Sequence, residues 1–381
     1  MDLRDTPAEG EFRAELRAWL DANLPAERRG MRGGAERFDD DFGRTWSRML
    51  YDAGYAGLTW PAAYGGAGAP YSHQAIFLEE TARAQAPTHV GVIGLGMAGP
   101  TIMVHGTDEQ KARYLDRILS AEEIWCQGFS EPDAGSDLAA VRTRAERRGD
   151  VYVVNGQKVW SSFAHIADWC ILVTNSDPEG KRYRNLTYLL VDMHSPGIEV
   201  RPLRQITGEA EFNEIFFSDV EVPVANRLDD EGNGWAVAMT TLMHERGTLG
   251  FALTAALEVA VNRLVGVARE RAAGDAIARD RVAREWIELQ ALRYTNYRAL
   301  TTYERTGVPG PEGSVAKLRW SEQNQRLTKL GRDLHGPEGL LDDGWWHYQQ
   351  LRSRGNTIEA GSSEVLRNII AERVLGLPKS R

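Results

Sequence analysis

Apolar residues change their spacing twice along this chain, and those two switches restrict its architecture more than any single motif. Over residues 9–120 the spacing is helical. Phe12, Leu16, Trp19 and Leu20 share one face of a segment over 11–23, a second helix is expected over 72–84, and Thr107 followed by Gln110 is a capping-box start for a third. From Val151 the period falls to two. Residues 151–160 alternate around Asn155-Gly156, a strong hairpin signal, and short strands are expected over 169–174, 187–192, 198–202 and 214–222, broken by Pro, Gly and Asp. Helical spacing returns after Gly234. Leu249, Leu253, Leu257, Val261, Leu264 and Val265 run along a segment expected over 235–273, followed by helices over 280–305, 314–334 and 362–375.

The order is therefore α, then β, then α, without the strand–helix alternation of a doubly wound sheet. It predicts an α+β chain with an N-terminal helical domain over 1–123, a compact antiparallel β-domain over 124–230 and a helical bundle over 231–381. The chain's 381 residues suffice for two or three domains. One dinucleotide-type pattern conflicts with this order: Gly94-Leu95-Gly96-Met97-Ala98-Gly99 satisfies G-x-G-x-x-G. That fingerprint requires a preceding strand and a βαβ unit, whereas helix precedes it here, so close helix packing is the better account of its glycines.

Charge and cysteine usage narrow the function. A net charge of −9, from 45 basic and 54 acidic residues, argues against nucleic acid or an anionic membrane surface as partner. Cys126 and Cys170 are too few for a disulfide framework, which points to a reducing compartment and a cytoplasmic location. The start, Met1 to Pro7, lacks the apolar core of a signal peptide, and no apolar run suggests a membrane span. H-E-x-x-H, clustered Cys/His and G-x-S-x-G patterns are missing from the sequence, leaving metal and serine-hydrolase chemistry without support. The eleven tryptophans fit large buried or ligand-facing surfaces, although core packing accounts for most of them.

The segment Trp125 to Ala139 concentrates Ser130, Glu131, Asp133, Ser136 and Asp137 around Pro132 and Gly135. Such a loop exposes backbone N–H groups and short hydroxyls where no helix can form, a means of holding a polar ligand. On chemistry alone an ordinary turn is the simpler reading. However, Glu131-Pro132-Asp133-Ala134-Gly135-Ser136-Asp137 resembles the flavin-binding loop of the acyl-CoA dehydrogenase family. Further matches follow in order: Leu58-Thr59-Trp60-Pro61 with Tyr64-Gly65-Gly66 and Glu79-Glu80; Gly99-Pro100-Thr101 through His105-Gly106-Thr107 to Gln110-Lys111; Asn155-Gly156-Gln157-Lys158-Val159-Trp160-Ser161-Ser162, similar to the family's β-domain hairpin; and Gly355-Asn356-Thr357-Ile358-Glu359-Ala360-Gly361-Ser362-Ser363-Glu364 through Arg367-Asn368 to Leu375-Gly376-Leu377-Pro378, similar to its C-terminal signature.

The resemblance covers nearly the whole chain. It implies the acyl-CoA dehydrogenase-like fold, with a four-helix bundle as its C-terminal domain. It also implies FAD as cofactor, and oxidation of the Cα–Cβ bond of an acyl-CoA to the trans-2-enoyl-CoA, with an electron-transfer flavoprotein as acceptor. By the same resemblance Gln127, Phe129, Ser130, Ser136, Trp160, Ser162, Ser362 and Glu364 contact FAD, and Ser136, Arg246 and Ala360 bind substrate. Without it, Trp160 reads as a strand core residue and Ser162 as a strand-end hydroxyl.

The reaction needs a carboxylate of raised pKa to take the α-proton, and donors aimed at the thioester oxygen. The resemblance gives the donor role to the Ala360 N–H. Many members place the base directly before the signature glycine, where this chain has Ala360. Others carry it on a C-terminal-domain helix directly before an Arg, which corresponds to Glu245-Arg246. Thr241 and Leu249 flank Glu245 at helical spacing, so it shares a face with small and apolar residues. Glu245 is thus the expected base and Glu359 the runner-up, with a surface or salt-bridged Glu245 the plainer alternative.

The chain departs from the family at elements that reach a neighbouring subunit's FAD. Arg269-Glu270-Arg271-Ala272-Ala273-Gly274 lacks a Thr-Phe, and Asp333-Leu334-His335-Gly336-Pro337 replaces Gln-x-x-Gly-Gly, leaving Arg271 as a candidate FAD contact there. A homo-oligomer and a mixed tetramer with a related subunit both stay open. So do a flavin-dependent oxidase or oxygenase of the same fold and a non-catalytic subunit.

Overall fold

In the computed structural model, residues 4–29, 40–247, 249–306, 310–341 and 344–379 are described. Helices α1 (Pro7–Asn23), α2 (Asp40–Asp52), α3 (Tyr71–Arg83), α4 (Gly99–His105) and α5 (Asp108–Leu119) come first. Eight strands follow: β1 (Trp125–Gly128), β2 (Arg144–Arg148), β3 (Val151–Ser162), β4 (Trp169–Asn175), β5 (Leu186–Asp192), β6 (Ile198–Leu203), β7 (Phe212–Pro223) and β8 (Arg227–Leu228). Helices α6 (Gly234–Gly247), α7 (Leu249–Arg271), α8 (Ala276–Thr306), α9 (Glu312–Asp333), α10 (Glu338–Leu341), α11 (Trp345–Asn356) and α12 (Ser363–Ile369) complete the chain. By contacts the chain divides into two compact units. One gathers residues 1–32, 69–87 and 246–381; the other gathers 33–68 and 88–245.

The helix starts follow their capping residues. Thr6 accepts from the Glu9 N–H while Glu9 accepts from the Thr6 N–H, and Thr107 and Gln110 make the same reciprocal pair at α5. The expected 235–273 helix resolves into α6 and α7, with Thr248 outside the described residues. The helix expected over 362–375 runs as α12 and then a π-helical turn, Ile370–Val374. Among the described residues no strand precedes the glycine pattern at 94–99. Gly94–Ala98 is a π-helical turn leading into α4, and a Cβ on Gly99 would collide with the Trp60 ring.

The sheet runs in the order β6-β7-β3-β2-β4-β5-β8. It is antiparallel apart from β1, which pairs parallel with β4, and a single parallel register between β2 and β4. At β4 and β5 both faces of the sheet are buried. Ile171 and Val173 of β4 join Tyr188, Leu190 and Val237 in one core, while Cys170 and Leu172 join Val191, Ile215 and Val220 in the other.

The hairpin expectation at Asn155-Gly156 is corrected. β3 passes straight through these residues, and the turn into it is Gly149-Asp150, between Arg148 and its partner Val151. Asn155-Gly156 instead forms a bulge against β7, with a register shift between Val154 and Gly156. Gly156 has φ +153, and a Cβ there would lie 2.7 Å from Thr143 Cα. The Asn155 side chain donates to Asp219 Oδ1 and accepts from the Asp219 N–H, each at 2.9 Å. The freedom that makes Asn-Gly a turn signal serves a bulge here.

In the other unit, α7, α8, α9 and α11 enclose Leu257, Val261, Leu264, Leu289, Leu327, Leu330 and Trp346. Gly250–Arg271 has the length and hydropathy of a membrane span, yet its Leu257, Val261 and Leu264 are spent on this core. α1 is tied to α3 by Arg13, which donates to Glu80 at 2.6 Å and Glu79 at 3.1 Å, and by Arg17, 2.6 Å from Glu80. Tyr297 of α8 donates to Glu79 at 2.9 Å.

Candidate active site

The loop after β1 is shaped by an ion pair with a wholly buried cation. Gly128 ends β1 where a Cβ would lie 2.7 Å from Leu172 and 2.9 Å from Cys170 Sγ. Phe129 then turns inward and meets Tyr188 edge-on, ring centroids 5.9 Å apart. Glu131 and Ala134 exchange backbone hydrogen bonds at 2.9 and 3.1 Å, closing a tight turn over Pro132-Asp133. The Glu131 carboxylate accepts from the backbone N–H groups of Arg142 at 2.7 Å and Thr143 at 2.8 Å, and from Lys158 Nζ at 2.8 Å. Lys158, 0 % exposed, also donates to the Phe129 carbonyl at 3.0 Å. Burial pushes the ammonium down to about 8 against the pull of Glu131. Burial also pushes the Glu131 carboxyl up, but Lys158 and the two N–H donors outweigh it and hold the group below the usual carboxylate range.

Two residues beyond Lys158 the strand turns a side chain outward. Trp160 has φ +61, an uncommon conformation for a bulky residue, in the second register irregularity of β3. Its indole is 59 % exposed and meets Phe212 edge-on, ring centroids 6.0 Å apart. The Val159 N–H donates to the Ser130 carbonyl at 2.9 Å, which draws the loop against this strand end. Gln127 is half-buried on β1, Ser162 is half-buried opposite Phe212, and Ser136 is exposed, beside an Asp137 that is ion-paired with Arg182. The Ser130 and Ser162 hydroxyls make no hydrogen bond among the described residues, and the buried Ser161 hydroxyl is unpartnered. A bare aromatic face beside free hydroxyls suits a flat, polar-edged ring such as a flavin.

Behind this loop, α6 is held in register. Thr241, fully buried, bonds the Tyr188 hydroxyl at 3.0 Å and Thr101 Oγ1 at 2.9 Å. Tyr188 is the residue on which Phe129 packs, so one hydroxyl network locates both helix and loop. One turn further, α6 carries Glu245 and then Arg246, whose side chains lie outside the described residues.

In the other unit, the segment after α11 carries two consecutive left-handed residues, Ala360 at φ +51 and Gly361 at φ +95. Lys317 Nζ donates to the carbonyls of Asn356 at 2.7 Å and Gly361 at 2.8 Å. Glu359 is engaged at both oxygens: Arg352 reaches Oε2 at 2.8 Å and Oε1 at 3.3 Å, and Asn356 Nδ2 reaches Oε1 at 2.7 Å. None of the hydrogen bonds among the described residues uses the N–H of Ala360. Ser362 caps α12 by accepting from the Val365 N–H at 3.3 Å, Glu364 stands exposed in its first turn, and the buried Ser363 hydroxyl is unpartnered. Arg271 pairs with Glu338 at 2.8 Å on the exposed surface.

Three sequence models match along the chain: Acyl-CoA dehydrogenase, N-terminal domain, over residues 6–122; middle domain, over 126–220; and C-terminal domain, over 232–375. An acyl-CoA dehydrogenase of Mycobacterium tuberculosis, IpdE1, is 44% identical over 97% of this chain and 98% of its own length. The chain belongs to the acyl-CoA dehydrogenase family. Among solved structures, one described as the Tcur3481-Tcur3483 steroid ACAD matches with a TM-score of 0.89 and 32% identity over 100% of both chains. The ChsE4-ChsE5 complex from Mycobacterium tuberculosis matches with a TM-score of 0.87 and 30% identity, again over 100% of both. Acyl-CoA dehydrogenases are FAD-dependent flavoproteins, so FAD is the cofactor and the enzyme dehydrogenates acyl-CoA thioesters.

Sequence reasoning assigned no role to four residues that shape these segments: Lys158 and Asn356, seen only as members of matched motifs, and Lys317 and Arg352. Lys158 did leave a signal, since it falls on the same alternation as the buried Tyr152 and Val154, a lone charge on an apolar face. Lys317 left none, because the carbonyls it serves lie 39 and 44 residues away.

Proposed function

We propose that this acyl-CoA dehydrogenase uses Glu245 to remove the α-proton of the thioester, yielding the trans-2-enoyl-CoA. FAD, when bound, would supply the two-electron acceptor for the β-hydride, at flavin N5. Trp160 covers the ring system, with Phe129 behind it, while Gln127, Ser130 and Ser162 serve its polar edge. Ser136, Ser362 and Glu364 contact the rest of the cofactor, and Ser136 also meets the CoA arm. The Ala360 N–H donates to the thioester oxygen as negative charge gathers there, and Arg246 assists substrate binding.

The observation that carries this reading is the exposed Trp160, held at positive φ beside unpartnered serine hydroxyls on a clamped loop. Strain of this kind concentrates at ligand sites. Two facts favour Glu245 over Glu359. Glu359 has both oxygens occupied by Arg352 and Asn356, whereas the Glu245 helix is located by Thr241 on the same network as Phe129.

The substrate class in this reading is a steroid-derived acyl-CoA, in line with the relative described as a steroid ACAD. The assembly is a mixed tetramer with a related subunit, in line with relatives described by paired names and with the altered contact elements at Arg269–Gly274 and Asp333–Pro337. An electron-transfer flavoprotein is the electron acceptor, and the enzyme is cytoplasmic. Anaerobic titration of the holoenzyme with straight-chain, branched and steroid-derived CoA thioesters tests the reading. Bleaching of the flavin by a steroid-derived thioester supports it, and a flavin left oxidised by every thioester refutes it.

A further inference from the structure

The loop between α11 and α12 has its two ends fastened by one side chain. Lys317 of α9 is 5 % exposed, and its ammonium donates to the carbonyl of Asn356, the last residue of α11, and to that of Gly361, directly before the cap of α12. The same face of α9 supplies two more donors. Asn324 Nδ2 reaches Asn356 Oδ1 at 2.8 Å, and Gln325 Nε2 reaches the Ser353 carbonyl at 3.0 Å and Thr357 Oγ1 at 3.1 Å. Residues 317, 324 and 325 are spaced to share a helical face.

Within the fastened ends the chain must pass through Ala360 at φ +51, a conformation that costs a residue with a Cβ about 1 kcal/mol or more. Lys317 holds it there by consuming the two carbonyls that flank the turn. The N–H of Ala360, inside the fastened loop, makes no bond among the described residues. Fixed, unspent N–H groups are what stabilise developing oxyanions, because their dipoles need no reorganisation during the reaction.

We propose that Lys317 is a positioning residue for catalysis: by gripping the Asn356 and Gly361 carbonyls it aims the Ala360 N–H at the thioester oxygen. This rests on the role given to Ala360 above. Lys317 itself touches neither substrate nor FAD; it acts on enolate stabilisation through the loop.

The test compares wild-type holoenzyme with K317M, using a 3-thiaacyl-CoA. This probe can lose its α-proton to the base, but it carries sulfur in place of the β-carbon and cannot release hydride. Its bound enolate gives a charge-transfer band with oxidised flavin, and titrating that band against pH reports how well the enolate is stabilised. The expected result for FAD-replete K317M is an enolate pKa raised by about one unit or more, with kcat lowered about tenfold to a hundredfold and KM within about threefold. A wild-type enolate pKa in FAD-replete K317M overturns the proposal. If K317M does not fold, K317R is measured instead; it keeps a cation but presents a planar fork to the two carbonyls. A raised enolate pKa in FAD-replete K317R supports the proposal, and an unchanged one overturns it. A wild-type enzyme that forms no enolate band and is bleached by no acyl-CoA overturns the reading of the site as a whole, and this inference with it.

Discussion

Lys158 Nζ lies 2.8 Å from Glu131 Oε1, and the lysine has no exposed surface. A buried pair adds little net stability, because desolvation offsets the attraction, but breaking it leaves a stranded charge. K158M should therefore destabilise the protein by about 3–5 kcal/mol and release FAD. The double variant K158M/E131Q should recover part of the lost stability without recovering FAD. Thermal melts and the flavin-to-protein absorbance ratio check both outcomes.

The same pair sets a pH dependence in which stability and flavin retention part company. Lys158 titrates near 8 in the fold, below its ordinary 10.5. As pH rises through 8 the folded protein sheds a proton that the unfolded chain still holds, so this group makes stability rise rather than fall. The loop loses its charge-assisted clamp over the same range. FAD affinity should thus weaken above pH 8 while the melting temperature of the apoprotein does not fall through this group. Flavin-release titrations and apoprotein melts between pH 7 and 9.5 measure the two effects separately.

On the acid side, Glu131 and Glu80 both have carboxyls held below their usual range. Burial opposes this in each case, but Lys158 prevails at Glu131, and Arg17 and Arg13 prevail at Glu80. Their contributions are complete above the unfolded value of about 4.3 and are lost as pH falls through the depressed folded values. Melting temperature should drop steeply below about pH 4.5, and E80Q should flatten that drop. A melt series from pH 6 to 3 on wild type and E80Q decides it.

Trp160 offers a test that separates binding from folding. Its side chain is more than half exposed, so truncation forfeits little burial. W160A should change stability by less than about 1 kcal/mol yet weaken FAD binding about tenfold or more. Equilibrium dialysis of FAD alongside chemical denaturation reads both quantities.

Periodicity made the α–β–α order readable where an element buries one face, as α1 does with Leu16 and Leu20, whereas β4 is buried on both faces and reads instead as a short apolar run. The Thr107–Gln110 capping box was legible because it acts over three residues, while the equivalent Thr6–Glu9 pair, which starts α1 four residues before the expected helix, went unread. Asn155-Gly156 misled because φ freedom is common to turns and bulges, and only pairing with Asp219 on β7 distinguishes them. The positive φ of Trp160 and Ala360 is likewise invisible in sequence, being imposed by tertiary partners that oppose local preference. Glu131 could be seen within its motif, but its coupling to Lys158 joins positions 27 residues apart.

The central claim, that Glu245 and not the salt-bridged Glu359 removes the α-proton, is tested by anaerobic stopped-flow reduction of FAD-replete E245Q and E359Q with a thioester that bleaches wild type. E245Q should keep its flavin but bleach at least about a hundredfold more slowly, while E359Q should bleach within about tenfold of wild type. Wild-type bleaching by E245Q, with E359Q inert, would contradict it.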